Sequence, residues 1–284
     1  MDMPRVGNNF FDELMVVLVL YKMEVHESPT VISLTTALQS IQQRSSIFIY
    51  DNSPHEHRYK LNELWATTYR HNSNNPGVSK AYNEGFKCAK AQNKTWMLLV
   101  DQDTVFPVNS FDEYQKTMVK FNCPIIIPQL ADQTAIVSPL KFYLGGGQRL
   151  SEVRKDRPLN LSEFFFHNSG LLISIDEFEK AGMYDERFPL DFSDFSFVCR
   201  LRRHNQFFAV ANVIATHHLA ATSPANMSDR LKRFQSYLNA ARCFKNNYRP
   251  SDWMISFRAS LRAIKLSLEF KNFQFIVSYF RQHD

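Results

Sequence analysis

Asp101-Gln102-Asp103 places two carboxylates close together, directly after the apolar run Trp96-Met-Leu-Leu-Val100. Two like charges so near each other repel unless a divalent cation lies between them and a third group. Asp51 ends a second apolar run, Ile47-Phe-Ile-Tyr50, and opens the turn Asp51-Asn52-Ser53-Pro54. In a parallel α/β sheet, ligands bind beyond the carboxyl ends of the strands, so these acids are expected to converge on one rim. The plain alternative is that each acid caps a turn, because Asp favours turns. Asp191 and Asp194 stand at i and i+3 at the head of a helical pattern. There they serve either as N-terminal acids on the helix dipole or as proton acceptors for an attacking alcohol. His217, after the apolar stretch Phe207 to Val213, is either a metal ligand or a satisfied structural histidine.

These residues need strands and helices to position them. Leu14 to Tyr21 is a nearly continuous aliphatic run, as in a strand covered on both faces. Residues 29 to 43 read as a helix opened by Ser28-Pro29. Strands are expected at 47–50, 69–71, 96–100 and 125–127, with a helix from Val78 to Gln92. Strand and helix thus alternate, as in an α/β domain with a parallel sheet. From Pro139 the pattern loosens. Gly145-Gly-Gly147 marks a flexible turn. Phe164 to Ile175 reads as one strand-like stretch, with Asn168-Ser169-Gly170 inside it as a tight turn or bulge. Helices are expected at 175–181, stopped by Gly182, and at 193–204, followed by a strand at 207–213. Beyond Pro224 the chain turns helical. Leu231, Phe234, Leu238 and Ala241 keep helical spacing, and after Arg249-Pro250 so do Met254, Phe257, Leu261, Ile264 and Leu268.

Composition narrows the function classes. The 284 residues are 44% apolar and 21% charged, which excludes global disorder. With 25 Phe and only 8 Gly, the chain is neither collagen-like nor low-complexity. No apolar run is long enough to span a bilayer, and Met1 to Asn9 lacks the pattern of a secretory signal. The four cysteines form no CxxC pair, so neither a disulfide framework nor a cysteine zinc site is expected, and a cytoplasmic location is. The net charge of +5 is uneven: from Arg230 onward there are 11 Lys and Arg against 3 Asp and Glu, which leaves the body at −3. A basic tail on an acidic body points to an anionic surface. Arg258, Arg262 and Lys265 flank the last apolar stripe, as in a helix lying in a head-group layer; the alternative is a solvated face whose stripe packs on the body. No nucleic-acid motif is present, and nucleic acid is not an expected partner.

Val16 to Tyr21, Asp51-Asn52-Ser53, Asn75-Pro-Gly77 with Asn83-Glu-Gly85, and Asp101-Gln-Asp103 occur in an order and spacing that resemble the family-two glycosyltransferases of GT-A fold. The likeness is greatest to their bacterial rhamnosyltransferase branch. It continues through Phe188 to Arg200 and His217-His218-Leu219, and covers roughly residues 14 to 246. It implies a Rossmann-like mixed α/β sheet flanked by helices, with a C-terminal helical extension. The catalytic domain would be 12–222, its nucleotide-sugar half about 12–130 and its acceptor half about 131–222; residues 223–284 would be basic amphipathic helices.

By the same resemblance, Tyr21 and Asp51 would contact the base, with Asn52 and Gln102 on the nucleotide sugar and Asn75 and Gly77 beside the nucleoside. Asp101 would face the ribose or the metal. Asp103 would hold Mg2+ or Mn2+, and His217 would complete the metal or diphosphate site. Asp194 would be the base, with Asp191, Asn168, Gly170 and Arg200 shaping the acceptor site. Ser196 and Phe197 stand where the branch often has an acid and a Trp. One base without a second carboxylate nucleophile implies direct displacement with inversion. The implied reaction moves L-rhamnose from dTDP-rhamnose to a polyisoprenyl-diphosphate-linked glycan in surface polysaccharide or O-antigen assembly, on the inner face of the cell membrane. A UDP-hexose such as UDP-galactose or UDP-glucose is the alternative donor. A non-catalytic nucleotide-sugar-binding assembly protein is a rival from another class. A nucleotidyltransferase would want a Gly-rich, basic phosphate loop after the first strand, and Tyr21 to Ser28 has none.

Overall fold

The computed structural model describes residues 10–57, 61–132, 135–143, 146–217 and 226–281. Phe10–Glu13 (α1) leads into Leu14–Leu20 (β1), all seven residues of which are buried. Pro29–Ser40 (α2) starts after Ser28, whose hydroxyl accepts from Val31 N at 3.3 Å, with Pro in the first turn where its missing N–H costs nothing. Ser45–Asp51 (β2), Trp65–His71 (β3), Val78–Ala91 (α3) and Trp96–Asp101 (β4) follow. Thr104–Val105 (β5) precedes Ser110–Phe121 (α4), a helix the sequence reading does not contain; its N-cap Asn109 makes no side-chain cap bond.

Ile125–Ala131 (β6), Ile136–Ser138 (β7), Leu140–Tyr143 (β8), Gly146–Gln148 (β9), Leu159–Asn160 (β10), Phe164–Phe165 (β11) and Leu171–Ser174 (β12) come next. They are followed by Ile175–Lys180 (α5), Ser193–Leu201 (α6) and Phe207–His217 (β13), then Met227–Tyr248 (α7), Trp253–Glu269 (α8) and Gln274–Arg281 (α9).

The main sheet runs β10-β13-β6-β12-β4-β1-β2-β3, with β5 on β13 and β7 on β6. Strands β4, β1, β2 and β3 are mutually parallel. The sheet is mixed because β12 lies antiparallel to both β4 and β6. The single strand read at 164–175 is in fact two. β11 belongs to a small sheet with β8 and β9, and Asn168-Ser169-Gly170 turns the chain into β12. Along β1, Met15, Val17 and Val19 enter one apolar cluster, while Leu14, Val16, Leu18 and Leu20 enter another on the opposite face. That alternation, with aliphatics at every position, is what a strand covered on both faces requires.

The C-terminal helices are tied to the body beside α6. Phe188 and Phe192 pack on Phe244 of α7 at 6.3 and 5.1 Å between ring centroids. Tyr248 donates to Asp185 Oδ2 at 2.8 Å, and Arg187 donates to Asn247 at 2.9 Å. Burial works to raise the Asp185 pKa, but hydrogen bonds from Arg187 and Tyr248 win and lower it from 3.8 to about 2. A depressed carboxylate pKa stabilises the fold above its ordinary value and loses that contribution as pH falls through the folded value. Asp185→Asn is therefore expected to cost about 2 kcal/mol at neutral pH. In urea titrations the gap between variant and wild type should close as pH drops from 3.8 to about 2; a gap independent of pH would rule this carboxylate out as its source.

Helix α8 does not pack its apolar stripe on the body. It buries the small residues Ala259, Ala263 and Ser267 with Ile255, and it presents Phe257, Leu261, Ile264 and Leu268 outward, Leu268 being 74% exposed. The reason is α9, which the reading of 223–284 as helices does not delimit: Phe275 packs with Phe234, Ala259 and Ala263, where only small side chains leave room.

Candidate active site

A cavity of about 840 Å³ opens at the carboxyl ends of β1 and β4. Tyr21, Asn52, Asn75 and Gly77 form one side, and Asp101, Gln102 and Asp103 the floor. His167, Asn168, Ser193 and Asp194 face them, with Arg149 and Arg233 further along the wall.

The acidic turn is held from several directions. Gln102 accepts from Tyr21 N at 2.7 Å and donates to Tyr21 O at 3.2 Å, so the ends of β1 and β4 move as one. Ser28 donates to Gln102 O at 2.7 Å, and Thr30 Oγ1 accepts from Thr104 N at 2.9 Å. The first turn of α2 thus buckles both ends of Asp101-Gln-Asp103. Tyr82 donates to Asp101 Oδ1 at 2.8 Å, and burial, together with this carboxylate, holds the Tyr82 phenol well above its usual pKa. Gly77 (φ +92°) approaches the opposite wall so closely that a Cβ would sit 2.1 Å from Pro189 O. Val78 N donates to that same carbonyl at 2.7 Å.

Asp51 does not meet the cavity as expected. It is fully buried, and its carboxylate accepts from Ser53 N at 2.8 Å and Tyr69 OH at 2.7 Å, with His57 Nδ1 at 2.8 Å. Burial alone would raise its pKa; these hydrogen bonds outweigh it, and the net shift is downward. Its neighbour Asn52 reaches the wall instead. Asn52 is 2% exposed, and its Oδ1 is buried without a hydrogen-bond partner among the described residues.

On the facing wall, Asn168 donates to Ser193 Oγ at 3.2 Å and accepts from Tyr184 OH at 2.6 Å, which fixes the turn to the head of α6. Gly170 (φ +84°) lies behind the wall against Pro128 and donates to Leu99 O at 2.7 Å, so it shapes the turn without lining the cavity. Asp194 Oδ1 accepts from Phe195 N at 2.8 Å, and its Oδ2 lies 2.6 Å from His167 Nδ1. Asp191 is turned to Arg233 of α7 in a two-toothed ion pair, Nη2 to Oδ1 being 2.9 Å, so Arg233 rather than Asp191 lines the cavity. Arg200 does not belong to the acceptor wall: its Nε and Nη2 donate to Ala181 O at 3.0 Å and Gly182 O at 2.7 Å, closing the end of α5.

The backbone of His217 pairs with Thr104, next to Asp103; His218 lies outside the described residues. No group of three His, Cys, Asp or Glu able to hold a metal occurs among the described residues. His167, Arg149 and Arg233 have no place in the sequence reading. His167 directly precedes the Asn168 that reading singles out, whereas nothing local distinguishes Arg233 from the other basic residues of the tail.

Solved structures carry the same fold at low identity. A crystal structure of S. aureus TarS 1-349 in complex with UDP-GlcNAc superposes with a TM-score of 0.53 at 11% identity, over 88% of this chain and 77% of that one. GalNAc-T7 with UDP, GalNAc and Mn2+ superposes with a TM-score of 0.57 at 14% identity, over 87% of this chain and 50% of that one. No curated protein matches the sequence. The family model for glycosyl transferase family 2 matches residues 30–179, from α2 through the acidic turn and β12 into α5. Because that match takes in more than half of the chain and the mixed sheet has the GT-A arrangement, the protein is a member of glycosyl transferase family 2.

Proposed function

We propose that this family member transfers a sugar from a nucleotide diphosphate donor to a hydroxyl of a lipid-linked glycan, with inversion at the anomeric carbon. The observation that carries the reading is one cavity with Asn52 and Tyr21 on one wall, Asp101 and Asp103 on its floor and Asp194 facing them. The orphaned Asn52 Oδ1 wants an N–H donor, which a nucleobase supplies; an unmade buried bond costs about 1–3 kcal/mol. Structures of this fold hold UDP-GlcNAc in TarS and UDP with Mn2+ in GalNAc-T7.

Carboxylate oxygens suit a hard divalent cation. Asp103, with Asp101, would hold Mg2+ or Mn2+, and His217 would complete the diphosphate side of the site. Such an ion stabilises the charge growing on a departing diphosphate. Asp194 takes part in removing the proton of the attacking hydroxyl. The preferred donor is dTDP-L-rhamnose, by the motif likeness, and UDP-galactose or UDP-glucose is the alternative. The test is donor turnover across these three with Mn2+ or Mg2+, beside UDP and dTDP titrations. Asp103→Asn should weaken metal-dependent nucleotide binding at least tenfold and leave metal-free binding unchanged. Nucleotide binding without turnover on any donor or acceptor would favour the non-catalytic assembly protein.

The acceptor is proposed to be a polyisoprenyl-diphosphate-linked glycan met at the inner face of the cell membrane, in surface polysaccharide or O-antigen assembly. No helix of the described residues is long and apolar enough to cross a membrane. Instead Phe257, Leu261, Ile264 and Leu268 of α8 and Phe273, Val277 and Phe280 at α9 are exposed beside Arg258, Arg262 and Lys265. That pairing of apolar and basic side chains suits an anionic lipid surface. The chain is expected to sediment with phosphatidylglycerol vesicles several-fold more than with phosphatidylcholine vesicles. Leu261→Ser with Leu268→Ser should abolish the difference; self-association unaffected by vesicles would point to a second copy as the occupant instead.

A further inference from the structure

His167 lines the cavity, and the transferase reading leaves it without a task. Its Nδ1 stands 2.6 Å from Asp194 Oδ2, its ring is 38% exposed against 14% for Asp194, and its backbone N is fixed by Ser138 Oγ at 3.1 Å. Asp194 already has Oδ1 engaged by Phe195 N. Each oxygen of the Asp194 carboxylate thus carries a hydrogen bond already, whereas the more exposed imidazole, held at Nδ1, keeps a second ring nitrogen that can accept a proton.

We propose that the proton of the attacking hydroxyl is taken by His167 and Asp194 acting as one unit, the proton coming to rest on the imidazole. This rests on the transferase reading above and deepens it. As the hydroxyl oxygen bonds to the anomeric carbon, its O–H bond breaks and the proton passes to the ring. The bond from that carbon to the diphosphate breaks with its electron pair leaving on the diphosphate. The imidazolium so formed lies against the Asp194 carboxylate, 2.6 Å from Nδ1, with the Val137 carbonyl also favouring its charge. Burial opposes the charged ring, but these groups prevail, and the pKa of His167 lies above its ordinary 6.5. Only the neutral ring can accept a proton, so activity should rise with pH through that elevated value.

The test is the pH dependence of kcat for hydrolysis of whichever of dTDP-L-rhamnose, UDP-galactose and UDP-glucose the wild type turns over, with UDP and dTDP binding measured alongside. The wild-type acid limb is expected above pH 6.5. His167→Gln keeps a donor for Asp194, so it should retain nucleotide affinity and donor KM. Its kcat should fall about 100-fold and its limb should move to lower pH. Added imidazole should restore part of the rate to His167→Gly. A His167→Gln enzyme with wild-type kcat and an unmoved limb overturns the proposal, and so, if that variant does not fold, does a wild-type limb below pH 6.5. A wild type that binds nucleotide and turns over none of the donors or acceptors removes the transferase reading itself, and this assignment with it.

Discussion

Asp194→Asn is expected to lower kcat for sugar transfer by about 10² to 10⁴, the usual worth of a positioned proton acceptor. Asn has the shape of Asp, and its carbonyl oxygen can still accept from Phe195 N, as Asp194 does at 2.8 Å. The head of α6 should therefore keep its fold. What is lost is the negative charge facing His167 and the hydroxyl that must shed a proton. The nucleotide side of the cavity, built from Tyr21, Asn52 and Asn75, lies on other elements, so UDP or dTDP affinity should stay within about twofold, under 0.5 kcal/mol. The two measurements separate chemistry from binding. A variant with near wild-type turnover removes Asp194 from the proton path, whereas a parallel loss of nucleotide affinity would mean that the wall has collapsed.

The residues of this site differ in how far local chain reports them. Leu14–Leu20 and Trp96–Asp101 are legible because a strand buried on both faces needs an aliphatic residue at nearly every position. The acidic turn is legible because its partners, Tyr21 and the first turn of α2, lie at the ends of elements that can themselves be read. The direction of Leu171–Ser174 is not, since nothing in four apolar residues says whether a strand runs up or down its neighbours. Asp51 turns inward because Tyr69, on a neighbouring strand, and His57 offer it donors that no spacing in the chain announces. Arg200 is read as an acceptor residue from its place in a motif, yet the carbonyls at the end of a short helix claim it first.

Arg233 shows what tertiary packing adds to the site. It sits on α7, the helix that joins the basic tail to the body, and it reaches over to Asp191 at the start of the acceptor wall. The hydrogen bonds that Arg233 donates to Asp191 outweigh burial and raise the Arg233 pKa further. Helix α7, against which α8 and α9 pack through Phe234 and Leu238, thus shares a wall with the cavity. An acceptor presented from a lipid surface would meet the site on the side where this helix closes it.

Gly77→Ala is expected to damage both stability and transfer, for a reason located in backbone rather than in side chains. The backbone of Gly77, φ +92° and ψ −178°, is a conformation essentially reserved for glycine, and forcing another residue into it costs about 1–3 kcal/mol. The added methyl would also meet Pro189 O at 2.1 Å, and that carbonyl cannot swing aside as a long side chain can. It already accepts from Val78 N at 2.7 Å, while Phe188 O accepts from Ser79 at 2.5 Å, so the start of α3 and the 188–190 loop are bonded face to face. Relieving the clash must part the two walls and carry Leu190, Ser193 and Asp194 away from the nucleotide side. The melting temperature should fall by several degrees, and kcat/KM should fall more than tenfold even where the variant remains folded. A Gly77→Ala protein with wild-type melting and wild-type kcat/KM would mean that this close approach is not needed to hold the donor and acceptor walls at working distance.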